Sequence, residues 1–249
     1  MKPIVTFTFD DGTEDHYTHA APILEKYGYR GIFNISTAFI GGHSDLGFNC
    51  LTREQIKDLY ARGHEIASHT VHHVNMRNLW MREGAKACEV ELLKSYDDIK
   101  SVVGVAPDYF CYPYNRGCPM VSRISRKIGM EPFNPIGRPN LGAYMWPTDE
   151  NEIRLKLECM LFNGNRHRDL MFHGVVHGGG WNWFERSEDF ERIVAIIKEL
   201  ECAGRLEVRK YSEAHSRRSG FLFNVFDWMV CQIWPIAYRV HLLMKGRKE

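Results

Sequence analysis

Along residues 4–215, two kinds of hydrophobic pattern alternate, one typical of strands and one typical of helices. Short β-branched or aromatic runs are separated by stretches in which apolar residues recur at helical spacing and which often stop at a glycine. The runs predict strands over 4–7, 31–35, 65–68, 109–112, 130–134, 169–173 and 206–208. The helical stretches are 16–27, 52–62, 81–103, 120–128, 152–162, 188–202 and 211–215, and Thr52 with Gln55 predicts a capping box at the start of the second. A strand followed by a helix, repeated at this interval, predicts an α/β fold built from parallel βα units.

Two adjacent carboxylates follow the first strand. Thr8-Phe9-Asp10-Asp11-Gly12 places Asp10 and Asp11 where the strand ends and a glycine turns the chain. Like charges this close repel each other, so a bound cation is the simplest account of the pair. A solvated Asp-Asp-Gly turn is the competing interpretation, and the two are about equally supported by this stretch alone.

A histidine cluster follows the strand at 65–68. His69, His72 and His73 fall within five residues, and histidine is the commonest metal-binding side chain. With Asp and His as ligands and no cysteine pair nearby, the set suits Zn²⁺ or another divalent transition ion with open positions for water and substrate. For His72 alone, a solvent-exposed loop residue that does not bind the metal is an alternative interpretation.

These motifs resemble a known family. Thr-Phe-Asp-Asp-Gly followed some sixty residues later by His-Thr-x-x-His resembles the polysaccharide deacetylase family, the NodB homology domain of carbohydrate esterase family 4. The resemblance extends over about residues 3 to 215 and implies a distorted (β/α)7-type barrel. It also implies that Asp11, His69 and His73 bind the metal, that Asp10 is the general base, and that His72 is a spacer.

Two further catalytic roles follow from the resemblance. His173 stands at the end of the strand 169–173 like the histidine of the family's Leu-x-x-His motif, which implies a general acid. The backbone amide of Tyr114, in Tyr112-Pro113-Tyr114-Asn115, is expected to donate to the oxyanion. His177 is a weaker candidate held in reserve.

One position departs from the family pattern. Cys111 stands where the family has an arginine that contacts the base carboxylate. Either Arg138, Arg116 or another cation replaces that arginine, or Asp10 is tuned differently. Asp149 stands near the family's residue that orients the acidic histidine, and a helix N-cap is an equally good interpretation. Trp181 and Trp183 are interpreted either as sugar-stacking residues or as aromatic packing on the barrel rim.

Composition narrows the class of protein. Lys and Arg number 32 against 31 Asp and Glu, so nothing global favours a nucleic-acid partner. The seven cysteines are odd in number and contain no C-x-x-C pair, which predicts free thiols. The first strand follows Met1-Lys2-Pro3 directly, which predicts that the protein has no cleavable signal peptide, and together these features predict a cytoplasmic location.

The last stretch differs from everything before it. Residues 221–244 are strongly apolar, flanked by basic residues and interrupted by Pro235. The pattern fits an interfacial segment on a membrane about as well as a helical tail that packs on the barrel or joins two copies in a homo-oligomer. The predicted domains are therefore 1–216, catalytic, and 217–249, an apolar tail.

The leading functional hypothesis is a metal-dependent deacetylase that removes an acyl group from an amino sugar or glycan intermediate. Acetyl is the acyl group that this hypothesis favours. A lipid-linked glycan at the inner face of the membrane would reconcile the site with the tail. Two alternatives stay open: a binding barrel that has lost turnover together with the arginine, and a hydrolase of non-sugar amides.

Overall fold

The computed structural model describes residues 2–133, 146–162 and 167–215. Within them, seven strands alternate with seven α-helices. In chain order they are β1 (Ile4–Phe9), α1 (Ala21–Lys26), β2 (Gly31–Ile35), α2 (Arg53–Ala61), β3 (Glu65–Ser68), α3 (Met76–Val103), β4 (Tyr109–Phe110), α4 (Pro119–Ile128), β5 (Glu131–Pro132), α5 (Glu150–Phe162), β6 (His167–Phe172), α6 (Ser187–Cys202), β7 (Glu207–Val208) and α7 (Tyr211–His215). A π-helical turn, His16–Ala20, leads into α1. The predicted alternation is confirmed.

The strands form one parallel sheet that curls into a half-barrel. Its order is β5-β4-β3-β2-β1-β6, and β7 pairs with the first residues of β1. Strand β6 runs beside the whole of β1, from Ile4 opposite His167 to Phe9 opposite Phe172. Because all strands are parallel, their carboxyl ends lie at one rim of the barrel.

Strand β1 is buried on both faces, and its two faces differ in chemistry. Phe7 and Phe9 belong to the main core, in which they pack against the ring of Phe172. The alternate residues Thr6 and Asp10 contact polar side chains on other strands, since successive side chains point to opposite faces. The sequence Ile-Val-Thr-Phe-Thr-Phe therefore supports a core on one face and a partly polar barrel interior on the other.

Element ends deviate from the predictions where capping or backbone geometry decides them. Helix α3 begins at Met76 rather than 81, because the side chain of Asn75 caps it by accepting from the N–H of Asn78. Gly84, with φ 82°, interrupts that helix and obscures its period. The predicted capping box of α2, Thr52 with Gln55, is confirmed.

Some predictions concern residues outside those described. They are the end of the strand predicted at 130–134, the role of Arg138, and the whole tail at 217–249. None of the helices in the described ranges combines the length and apolar character that crossing a bilayer requires. The six cysteines in the described ranges are free thiols, as predicted.

Candidate metal and acid–base site

The residues singled out in the sequence meet at the rim formed by the strand ends. Asp10 and Asp11 follow β1, His69 follows β3, and His173 follows β6. Tyr114 lies in a short 3-10 turn, Pro113–Asn115, just beyond β4. Four chain segments therefore converge on one place, which the parallel topology makes possible.

Asp11, His69 and His73 form a group that could hold a metal ion. Nε2 of His69 and Nε2 of His73 lie 3.5 and 3.2 Å from Oδ1 of Asp11. One potential metal-ligand atom from each of the three residues lies within 4.8 Å of the others. The described ranges contain no other such group of three His, Cys, Asp or Glu residues. Oδ1 of Asp11 is buried and accepts no hydrogen bond from the described residues. A buried carboxylate oxygen without a donor, facing two imidazoles, fits a divalent ion.

Electrostatics favours the charged form of the carboxylate in this group. Burial acts to raise the pKa of Asp11, but His69 and His73 outweigh it and hold that pKa well below its usual range. Burial likewise acts to lower the pKa of His73, and the carboxylates of Asp11 and Asp45 outweigh it and raise that pKa. The group is thus an ionised carboxylate beside imidazoles.

Each of the two imidazoles is oriented through its second nitrogen. Nδ1 of His69 lies 3.0 Å from the carbonyl oxygen of Cys111, and Nδ1 of His73 lies 3.2 Å from Oδ2 of Asp45. Donation from Nδ1 leaves the Nε2 lone pair of each ring directed toward Asp11. Sequence reasoning missed Asp45, because nothing in the loop before α2 marks this carboxylate as a partner of a histidine 28 residues later.

Helix α3 holds the histidine loop through one carboxylate. Glu91 accepts from the backbone N–H groups of Val71 and His72, at 3.0 and 2.7 Å, and lies 3.1 Å from Nδ1 of His72. The side chain of His72 is exposed and turned to Glu91 rather than to the metal-binding group. Its expected place outside the ligand set agrees with this geometry.

The backbone at the site is unusual. Of the six non-glycine residues with positive φ in the described ranges, five belong to the site segments: Asp11, Thr70, His73, Tyr114 and Asn115. Side chains rarely adopt this conformation, and residues held in it cluster at functional sites. The ring of Tyr114 is exposed, and its centroid is 4.7 Å from that of His73.

Asp10 is contacted by two neutral groups. Nδ2 of Asn34 lies 2.6 Å from its Oδ1, and the Cys111 sulfur lies 3.7 and 3.9 Å from its two oxygens. Burial, followed by the charge of Asp10, raises the pKa of the Cys111 thiol well above its usual range, so the thiol is neutral. Arg116 is exposed, and no Lys or Arg of the described residues contacts Asp10. Within the described residues, an amide and a thiol therefore contact Asp10 where the family has an arginine, and Arg138 lies outside those residues.

His173 lies on the other side of the site. Burial lowers the pKa of its imidazole, against the opposing influence of Asp11 and Asp10. Its ring is perpendicular to that of Trp181, with centroids 4.9 Å apart. No hydrogen bond joins the His173 ring to the residues described. The reserve candidate His177 is instead paired with Glu185 on the surface.

A buried polar network supports the backbone around His173. Nε2 of His16 lies 2.7 Å from the His173 carbonyl oxygen, and Asp15 accepts from the N–H of Val175 at 2.5 Å. Thr13 donates to Asp15 at 2.6 Å. Sequence reasoning missed this network, although Thr13, Asp15 and His16 directly follow the aspartate motif. Their clustering was the signal available.

Asp149 does not join the site. Its Oδ1 accepts from the N–H of Glu152 at 3.1 Å, which makes it the N-cap of α5. Trp146 stacks on Phe172, with ring centroids 5.3 Å apart, and donates to the carbonyl oxygen of Met171. The helix-cap interpretation of Asp149 is therefore the correct one.

Comparison with known proteins places the chain in a family. The family model described as polysaccharide deacetylase matches residues 1–133, more than half of the chain. The chain belongs to the polysaccharide deacetylase family. Members of this family depend on a metal, which agrees with the Asp11, His69 and His73 group.

Curated relatives match parts of this family member. A chitin deacetylase of Arthroderma benhamiae is 28% identical over 125 residues, covering 50% of this chain and 31% of its own. A poly-beta-1,6-N-acetyl-D-glucosamine N-deacetylase of Staphylococcus aureus is 24% identical over 159 residues, covering 59% and 53%. Bacillus subtilis YxkH is 40% identical over 75 residues, covering 30% and 25%. The chain thus spans from a quarter to about half of these relatives.

Solved structures show the same fold. The Bc1960 peptidoglycan N-acetylglucosamine deacetylase is similar with a TM-score of 0.58 at 16% identity, covering 86% of this chain and 88% of its own. The Xyl-CE4 domain of a multidomain xylanase from the hindgut metagenome of Trinervitermes trinervoides has a TM-score of 0.55 at 18% identity, covering 87% of this chain and 91% of its own. The predicted NodB-type barrel is confirmed.

Proposed function

We propose that this polysaccharide deacetylase family member is a metal-dependent hydrolase that removes acetyl groups from the amino sugars of a glycan. The observation that carries the proposal is the convergence of Asp10, the Asp11, His69 and His73 group, and His173 at one rim of the barrel. A buried carboxylate, a set of metal ligands and an imidazole that can transfer a proton are the groups that amide hydrolysis needs.

The proposed roles follow from the position of each group. Asp10 takes the proton of the attacking water, and His173 gives a proton to the leaving amine. The backbone N–H of Tyr114 donates to the oxygen that becomes negatively charged. A divalent ion held by Asp11, His69 and His73, for which we propose Zn²⁺, would supply Lewis acidity to this site.

The proposed substrate class is a chain of acetylated amino sugars. Two relatives, a chitin deacetylase and a poly-beta-1,6-N-acetyl-D-glucosamine N-deacetylase, are named for substrates of this class and support this choice. Exposed aromatic rings flank the site on both sides, with Tyr114 beside His73 and Trp181 beside His173. Aromatic faces suit the apolar faces of sugar rings. A lipid-linked glycan reached through residues 221–244 at the inner face of the membrane stays a prediction.

The test is acetate release by the purified chain from N-acetylglucosamine oligomers, with and without chelator, together with elemental analysis. We expect chelator-sensitive release, and a loss on the order of 10²- to 10⁴-fold for Asp10→Asn with unchanged metal content. If the parent releases no acetate from any acetylated amino sugar, the proposed function is wrong. If Asp10→Asn is as active as the parent, the base assignment is wrong.

A further inference from the structure

Asn34 is an unexpected residue at its place in the sheet. It lies in β2, an interior strand whose five residues are all buried, and it is fully buried itself. Strands that are buried on both faces are normally apolar throughout, as the neighbouring Phe33 and Ile35 are. A polar side chain at this position therefore needs a hydrogen-bond partner or a functional role to explain it.

Only one half of the Asn34 amide is satisfied. Nδ2 donates to Oδ1 of Asp10 at 2.6 Å, whereas Oδ1 of Asn34 is buried and has no hydrogen-bond partner among the described residues. An unsatisfied buried acceptor destabilises the folded state, so an apolar side chain would suit the fold better. The fold alone does not explain this asparagine, but its contact with Asp10 does.

The contact distinguishes the two oxygens of Asp10. Oδ1 receives the short hydrogen bond from Asn34, while Oδ2 has only the Cys111 sulfur at 3.9 Å within the described part of the chain. A thiol is a weak donor, so the lone pairs of Oδ2 are the less engaged and can accept a hydrogen bond from a water molecule. The amide thus fixes the carboxylate through one oxygen and leaves the other for the reaction.

We infer that Asn34 is a positioning residue that acts through Asp10, holding Oδ1 so that Oδ2 faces the attacking water. Among the described residues, Asn34 and Cys111 are the side chains that contact this carboxylate. This inference rests on the proposed function, because it assigns Asn34 to the same hydrolysis.

The test uses Asn34→Leu, since leucine has the same branched heavy-atom skeleton as asparagine but neither donor nor acceptor. We expect kcat on N-acetylglucosamine oligomers to fall about 10- to 100-fold, with KM within about twofold of the parent and metal content unchanged. Asn34→Ala, which avoids overpacking the strand, should behave in the same way and serves if the leucine variant does not fold.

Non-additivity separates positioning from a structural role. If Asn34 acts through Asp10, adding Asn34→Leu to Asp10→Asn should not lower the residual hydrolysis further. A parent-like kcat in both single variants, a further loss in the double variant, or a loss of metal together with activity would each overturn the inference. Should Asp10→Asn itself keep parent activity, the base assignment under the proposed function fails instead, and the two failures are distinguishable.

Discussion

The histidines at the end of β3 and the histidine at the end of β6 are held in different ways. His69 and His73 each have a partner on Nδ1, a backbone carbonyl and a carboxylate, which fixes the tautomer and the ring orientation. His173 is held through its backbone carbonyl by His16, and its ring has no hydrogen bond to the described residues.

The difference matches two kinds of chemistry. A metal ligand must present one lone pair in one direction, so a partner on its other nitrogen helps. A group that gives and takes protons must change its protonation state during the reaction, and a ring without fixed partners can do so. Histidine is thus suited to metal binding at the end of β3 and to proton transfer at the end of β6.

The largest expected effect separates two adjacent histidines. His73→Ala should lose bound metal and nearly all of the proposed hydrolysis, because it removes a ligand that faces Asp11. His72→Ala is the matched control, since its ring is exposed and turned to Glu91. Metal content and acetate release are measured for both. Equal losses in the two variants would contradict the ligand assignment.

Replacement of His173 should affect catalysis and leave metal binding intact. His173→Gln removes the proton donor, so we expect kcat to fall about 10²- to 10⁴-fold at unchanged metal stoichiometry. His177→Gln, at a surface histidine paired with Glu185, is the control and should keep parent kcat. Loss of metal in His173→Gln would place this residue among the ligands and remove the contrast between the two sides.

Asp45 tests whether the partner of a ligand matters. Asp45→Ala removes the carboxylate from Nδ1 of His73 and should weaken metal affinity about 10- to 100-fold. Activity should recover when metal is added in excess. Glu185→Ala, which removes the carboxylate of a histidine outside the site, should leave affinity unchanged. Parent-like metal affinity in Asp45→Ala would mean that metal binding does not depend on the Asp45 carboxylate holding the His73 ring.

The smallest expected effect concerns substrate binding beside His173. Trp181→Ala should raise KM for N-acetylglucosamine oligomers about 2- to 13-fold, the effect of losing about 0.5–1.5 kcal/mol of ring contact. Tyr60→Ala, at an exposed aromatic of α2, is the control and should not change KM. If Trp181→Ala lowers kcat alone, the indole supports the imidazole of His173 rather than the sugar.

The sequence by itself determined the βα alternation and the local motifs. Hydrophobic period, glycine stops and the capping box act over a few residues, so the strand ends that carry Asp10, Asp11, His69 and His173 could be read directly. The sequence also showed that Cys111 stands where the family has an arginine.

Only the tertiary structure decided what surrounds those motifs. Asn34 and Cys111 reach Asp10 from β2 and from the end of β4, and Asp45 and Glu91 reach the histidine loop from elsewhere in the chain. Such partners are separated by tens of residues, and no local pattern encodes which side chains the curled sheet brings together. Hydrogen-bond partners depend on distances of a few ångströms, which strand pairing and helix packing set and periodicity does not.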